Sequence, residues 1–122
     1  MKPHSSFIDI GVNLTHEQLY DNLDEVIKDM IDANINNAII TSSCIDETYK
    51  ALQIIDKYPC IFYTTAGFHP HNAKEFRESN VSTIKELLNN KYVVAIGECG
   101  LDFYRKYSTK YEQVNCFEHH LS

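Results

Sequence analysis

No stretch of this 122-residue chain approaches the roughly 18 consecutive apolar residues of a membrane span. The opening residues, MKPHSS, lack the apolar core of a secretory leader. The four cysteines, Cys44, Cys60, Cys99 and Cys116, are widely spaced with no CxxC pair. That argues against a zinc cluster and for free thiols in a reducing cytoplasm. No low-complexity segment, linker or charge block divides the chain. Nor is there a basic excess: the formal charge of −6 excludes a general polyanion-coating surface. It leaves open an acidic cleft in which bound metal reverses the local sign. The expectation is a soluble cytoplasmic protein, one domain at most over residues 1–122. It is too short for a complete (β/α)8 barrel of roughly 250 residues.

What is present is an ordinary globular composition, 43% apolar and 23% charged, arranged as strand, loop, helix, repeated. Phe7–Ile10 is a short β-prone run ending at Gly11. Thr15 and Gln18 have capping-box spacing and open a helical turn. Leu23, Val26, Ile27, Met30 and Ile31 form a stripe at helical period, with Asn34 as its stop. Asn37–Thr41 reads as the second strand. A helix over Asp46–Lys57 ends before Pro59. Cys60–Ala66 is the third strand, closed by Gly67, and 68–80 is irregular. A helix over Val81–Asn90 and a strand at Tyr92–Ile96 follow. Thr109 and Glu112 repeat the capping-box spacing and open a last helix carrying Val114, Phe117 and Leu121.

Four consecutive βα units imply a parallel sheet with right-handed crossovers. Short, continuously apolar strands predict a sheet covered on both faces. In such folds the strand C-termini share one face, where the chemistry sits. The first tip offers Asp9, Gly11 and Asn13; the second only Thr41, Ser42, Ser43 and Cys44. The third offers His69 and His71, the fourth Glu98 and Asp102.

Glu98 follows a buried strand between glycines. It suits a ligand for a hard cation, or else a helix N-cap or loop ion pair. Asp102 orients ligands from behind or caps a turn. His69, held extended by Pro70, points an imidazole into the cleft or lies on the surface. Asn13 is an amide able to ligate a metal or bind phosphate, in a loop where asparagine is common. His71 reads as exposed, His119 and His120 as solvated, and His4 and His16 as lacking supporting neighbours. The eight tyrosines are scattered and read as packing residues rather than a base-stacking set.

Three runs, FIDIGVNLT at Phe7–Thr15, TAGFHPH at Thr65–His71 and VVAIGECGLDFYR at Val93–Arg105, resemble the TatD family of metal-dependent deoxyribonucleases. The likeness covers essentially the whole chain but corresponds to the N-terminal half of a full family member. It implies a TIM-like β/α barrel with only about the first four βα units present. It also implies two divalent cations, usually magnesium, and 3′→5′ hydrolysis of phosphodiester bonds in DNA, single-stranded or at 3′ ends. On the matching positions Glu98 corresponds to the family's metal-ligand glutamate, with Asn13 a second candidate ligand. His69 corresponds to the histidine of the GxHP motif, and Asp102 to the aspartate of the strand-four motif.

Many relatives carry an HxH pair on strand one, where this chain has Gly11 and Asn13. The family's later ligands are absent from these residues, so the chain alone is expected to lack activity. Exposed barrel edges are expected to favour oligomers or aggregation. Two other readings stand beside the nuclease. One is a relative of the wider superfamily acting on a small amide, and the other a non-catalytic remnant.

Overall fold

Helix-period apolar residues and short β-prone runs alternate along the chain. The computed structural model, which describes residues 6–122, folds them into alternating strands and helices. His4 and most of the MKPHSS run lie outside the described residues. Strand β1 (Phe7–Val12) leads through a single turn, α1 (Glu17–Tyr20), into α2 (Leu23–Asp32). Helix α2 buries Leu23 and Ile27, and Asp24 and Glu25 lie in its first turn, where the helix dipole favours them. It ends as expected at Asn34, whose φ of 66° is the left-handed geometry of a helix stop. Strand β2 (Ile35–Ile40) starts directly after that residue, two positions earlier than expected.

Helix α3 (Ile45–Lys57) buries Thr48, Ala51, Ile54 and Ile55. After β3 (Phe62–Ala66) the chain, expected to be irregular, forms a 3-10 helix at Pro70–Glu75. Helix α4 (Asn80–Leu87), strand β4 (Val93–Ile96) and helix α5 (Lys110–Leu121) complete the order. The Thr109–Glu112 capping box is formed at the start of α5. The one at Thr15 is not. Thr15 turns inward beside Leu14, both buried, and the next residue caps α1 instead: His16 Nδ1 accepts the Gln18 amide at 3.3 Å.

The four strands are parallel in the order β1-β2-β3-β4, with Ala38 opposite Phe62 and Thr64 opposite Val93. One side of the sheet carries the core. Ala38, Ile40 and Phe62 pack with Ile27, Ala51, Ile54 and Ile55, and a second cluster joins Ala66, Phe68, Phe76, Ile84, Leu87, Val93 and Cys116. The other side is open, contrary to the expectation of two covered faces. Ile8, Ile10, Tyr63 and Val94 are between 41% and 77% exposed. These residues would line the interior of a closed barrel. The architecture is therefore a partial TIM-like barrel, with β1 and β4 as its edges. Among the described residues no helix is long and apolar enough to cross a membrane.

Candidate functional site

Because the strands are parallel, their C-terminal ends open on one side, and three of the four are stitched together there. Beneath them lies a layer of buried hydroxyls. Thr64 Oγ1 donates to the Ile40 carbonyl at 2.9 Å, and Thr48 Oγ1 to the Thr65 carbonyl at 3.2 Å. The Ser42 amide donates to Thr65 Oγ1 at 3.1 Å. Above this layer, the Gly97 amide donates to the Ala66 carbonyl at 3.0 Å and the Glu98 amide to the Ser42 carbonyl at 2.8 Å. The His69 amide donates to the Ser43 carbonyl at 2.9 Å.

Gly67 permits this closeness. A Cβ there would lie 2.5 Å from the Glu98 carbonyl oxygen and 2.9 Å from the Gly97 carbonyl carbon. The main chain of Glu98 is thus seated across β3 and against β2. Its side chain is exposed and has no partner among the described residues, leaving both carboxylate oxygens available.

The histidines are arranged by a different set of bonds. His69 caps the 3-10 helix: its Nδ1 accepts the His71 amide at 3.0 Å. A neutral ring bonded in this way carries its proton on Nε2, which is then a donor. His71, expected to be exposed, is half-buried. Its Nε2 lies 2.6 Å from Asp102 Oδ2, and its ring meets that of His69 edge-on at 4.3 Å between centroids. Asp102 therefore engages His71 rather than His69. Asp102 Oδ1 also accepts the amides of Tyr104 and Arg105 at 3.1 and 3.2 Å. The His71 bond foremost, then the backbone amides, holds the Asp102 carboxyl below its ordinary range.

Behind Asp102 stands Gln113, 1% exposed. Its Oε1 accepts the Asp102 amide at 2.7 Å, while Nε2 donates to the carbonyls of Asp102 and Ser108 at 2.9 and 3.0 Å. Ser108 Oγ in turn donates to the His71 carbonyl at 3.0 Å and accepts the Lys74 amide at 3.0 Å. A second clamp secures the mouth of β2. Glu47 Oε2 accepts both the amide and the hydroxyl of Ser43 at 2.7 Å, and Asn72 Nδ2 donates to the Ser43 carbonyl at 3.1 Å. Sequence reading did not single out Gln113, Glu47 or Asn72. Their partners lie 4 to 29 residues away, and no local spacing marks the bonds.

His119 and His120, expected to be solvated, are half-buried against Phe76. His120 Nε2 accepts the Phe68 amide at 3.0 Å and its Nδ1 lies 2.7 Å from the Cys116 carbonyl, so α5 holds the third strand tip. Burial pushes the Cys116 thiol up to about 11, with Cys99 adding to the shift, and burial also raises Cys44 and Cys99. All four cysteines are free.

The first tip stands apart. Asn13 is exposed, and its carbonyl serves only the His16 amide at 3.2 Å. Asp9 Oδ1 is bonded to the Gly11 amide at 2.9 Å. Among the described residues, no three His, Cys, Asp or Glu side chains lie together as a metal-binding group. The residues present thus supply an incomplete donor set, one free carboxylate and one free amide.

Comparison with known proteins places this arrangement. The chain is 40% identical over 115 residues to the "3′-5′ ssDNA/RNA exonuclease TatD" of Edwardsiella piscicida, covering 94% of this chain and 44% of that protein. It is 42% identical over 113 residues to the protein of that name from Erwinia billingiae, covering 93% and 43%. Among solved structures it is similar to a hydrolase TatD family protein from Entamoeba histolytica, with a TM-score of 0.84 and 33% identity over 95% of this chain and 44% of that one. A TatD homologue from Escherichia coli K12, 18% identical with a TM-score of 0.78 over 94% of this chain and 45% of that one, shares the fold. The chain spans less than half the length of these relatives. The family described as TatD related DNase matches residues 8–122, and the chain belongs to that family.

Proposed function

We propose that this chain forms the first half of a phosphodiester-hydrolysing site that acts on single-stranded nucleic acid from its 3′ end. The observation that carries the reading is the seating of Glu98. Family membership and the tight approach at Gly67 meet at one carboxylate with free oxygens. In this reading Glu98, with Asn13 from the first tip, contributes to holding a divalent cation, magnesium by preference for oxygen donors. Such an ion would polarise a phosphoryl oxygen and lower the pKa of a bound water. The described residues do not complete its coordination, and the isolated chain is expected to be inactive.

The chain's own residues contribute orientation. With Nδ1 accepting the His71 amide, His69 offers Nε2–H, a donor suited to a non-bridging phosphate oxygen. Asp102 acts as a positioning residue: it fixes the His71 ring, and the His71 amide fixes the His69 ring. The domain is the N-terminal part of one barrel. Its four free thiols suit a reducing cytoplasm. The open edges β1 and β4 and the uncovered apolar face suit self-association, which concentration-dependent sedimentation would reveal.

A chimera tests the reading. Residues 8–122 replace the matching segment of the Edwardsiella relative, which supplies the remaining length. The expected result is magnesium-dependent shortening of 3′-ended single-stranded DNA. Glu98→Gln should reduce it on the order of 100-fold, as for loss of one transition-state stabiliser. A cooperatively melting chimera that hydrolyses DNA equally well with Glu98→Gln overturns it.

A further inference from the structure

The loop between β4 and α5 carries a feature the catalytic reading does not use. From Phe103 to Tyr111 the sequence FYRKYSTKY holds four aromatic rings and three cations and no acid, in a chain whose net charge is −6. Its tyrosines, expected to serve packing, stand in solvent: Tyr104 is 90% exposed, Tyr111 80% and Tyr107 59%, with Phe103 at 43%. Phe103, Lys106, Tyr107 and Lys110 line a recess of about 500 Å³ whose floor includes Ser108 and Gln113. Lys110 Nζ sits 5.2 Å from the centre of the Phe103 ring, and the Tyr107 ring is 4.7 Å from that of His71. The one acid in the lining, Glu112, is committed to the Thr109 amide at 2.8 Å. That bond to Thr109 foremost, with Lys74 and Arg77 adding to it, holds the Glu112 carboxyl below its ordinary range.

The loop is also built to keep its shape. Asp102 ties its start to His71, Gln113 ties Asp102 to Ser108, and Lys106 adopts a left-handed φ of 55°. Little ordering remains to be done when a ligand arrives, which favours binding.

We propose that this recess is a nucleotide subsite. One base of a single strand stacks on Phe103 and Tyr107, and the flanking phosphates meet Lys106 and Lys110. Aromatic faces beside cations are what binding of a single strand needs, because every base has a π-face and every linkage a charge. The volume suits one nucleotide. Contact between Tyr107 and His71 sets the subsite directly beside the candidate site, so a strand held here runs towards Glu98 and His69. A concave hollow rimmed by ammonium groups fits a nucleotide better than a flat bilayer. The inference rests on the phosphodiester reading for the choice of strand, and its test does not need turnover.

The test is anisotropy of a dye-labelled oligothymidylate titrated with the 122-residue chain in excess chelator. The unaltered chain is expected to bind in a salt-dependent way. Lys106→Asn with Lys110→Gln should flatten the log–log salt slope by about 1.4, roughly 0.7 for each phosphate no longer neutralised. Asparagine at 106 keeps the left-handed backbone within reach. Phe103→Leu, which keeps apolar bulk but removes the π-face, should weaken binding roughly tenfold. Thermal melts confirm that each variant folds.

The subsite falls if the unaltered chain does not bind, or if the variants bind as well as it does. It falls equally if they lose affinity for phosphatidylserine vesicles instead of the oligonucleotide. Loop-dependent binding alongside an inactive chimera would uphold the subsite and sink the nuclease reading. An active chimera indifferent to the loop variants would do the reverse.

Discussion

The mouth of β1 and the joined mouths of β2, β3 and β4 all lie at the ends of parallel strands, yet they are organised differently. At β2–β4 every turn is tied to a neighbouring strand, through Ser42 to Glu98, Ala66 to Gly97 and Ser43 to His69. Beneath them are hydroxyls that are themselves satisfied. At β1 the loop bonds mainly to itself: Asp9 to Gly11, Asn13 to His16. Its ties across are the Thr41 amide to the Val12 carbonyl at 3.1 Å and the Lys50 ammonium of α3 to the Thr15 carbonyl at 2.9 Å. The pairing of β1 with β2 is also irregular in register. The difference teaches that half of the candidate site is set by main chain that the fold itself holds. The other half is presented on an exposed loop. A carboxylate on the first kind of support keeps its place without a ligand; an amide on the second does not have to.

Two glycines test that contrast most sharply. Gly67→Ala forces a carbon to within 2.5 Å of the Glu98 carbonyl, so the Glu98 turn must move. A loss of about 3 kcal/mol is expected in urea unfolding, in line with overpacking of a tight site. Gly11→Ala, whose nearest atom would be 3.9 Å away, should change stability by under about 0.5 kcal/mol. Equal effects at the two positions would erase the comparison.

Next in size is Gln113→Leu. It fills the same volume but leaves the Asp102 amide and the Asp102 and Ser108 carbonyls without their partner. A cost of about 2 kcal/mol is expected by the same measurement. Hydrogen exchange should speed up at Asp102 and Tyr104 while the amides of β2 stay protected.

The pH dependence has two limbs. Asp102 is held below its ordinary range, so the folded state releases this proton more readily than the unfolded chain does. Its stabilisation is present above the ordinary aspartate range and is lost as pH falls through the lowered value. Thermal melts of the chain should show this acid limb, and Asp102→Asn should flatten it. Cys116 has the opposite sign. Raised to about 11, it keeps its proton in the fold after the unfolded chain has lost it. Stability therefore declines as pH rises from the ordinary thiol range towards 11, and Cys116→Val should remove that decline.

The smallest effect tests the β1 loop. Thr15 Oγ1 is buried with no hydrogen-bond partner in the described residues. Thr15→Val should leave stability unchanged or raise it by up to about 1 kcal/mol in urea unfolding.

Much of the fold was legible because it rests on local chemistry. Thr109 and Glu112 form their box, Asn34 ends its helix in the left-handed region, and the apolar stripe of α2 faces the core. Parallel order followed from the βα rhythm. The site was legible only in part. Glu98 and His69 could be picked out because each sits at a strand end beside a glycine or proline. The partnership of His71 with Asp102 spans 31 residues, and the hold of His120 on Phe68 spans 52. Nothing in the spacing of either pair distinguishes them from solvated side chains. The shift from Thr15 to His16 as the cap likewise turned on which residue faces the core.

The most direct measurement of the central claim is paramagnetic broadening of the isotope-labelled chain by low concentrations of Mn²⁺, a substitute for magnesium. The account predicts broadening centred on the amides of Gly97 and Glu98 and the ring of His69, weakened in Glu98→Gln. Broadening confined to the acidic surface around Asp21, Asp24 and Glu25, or unaltered by Glu98→Gln, would contradict it.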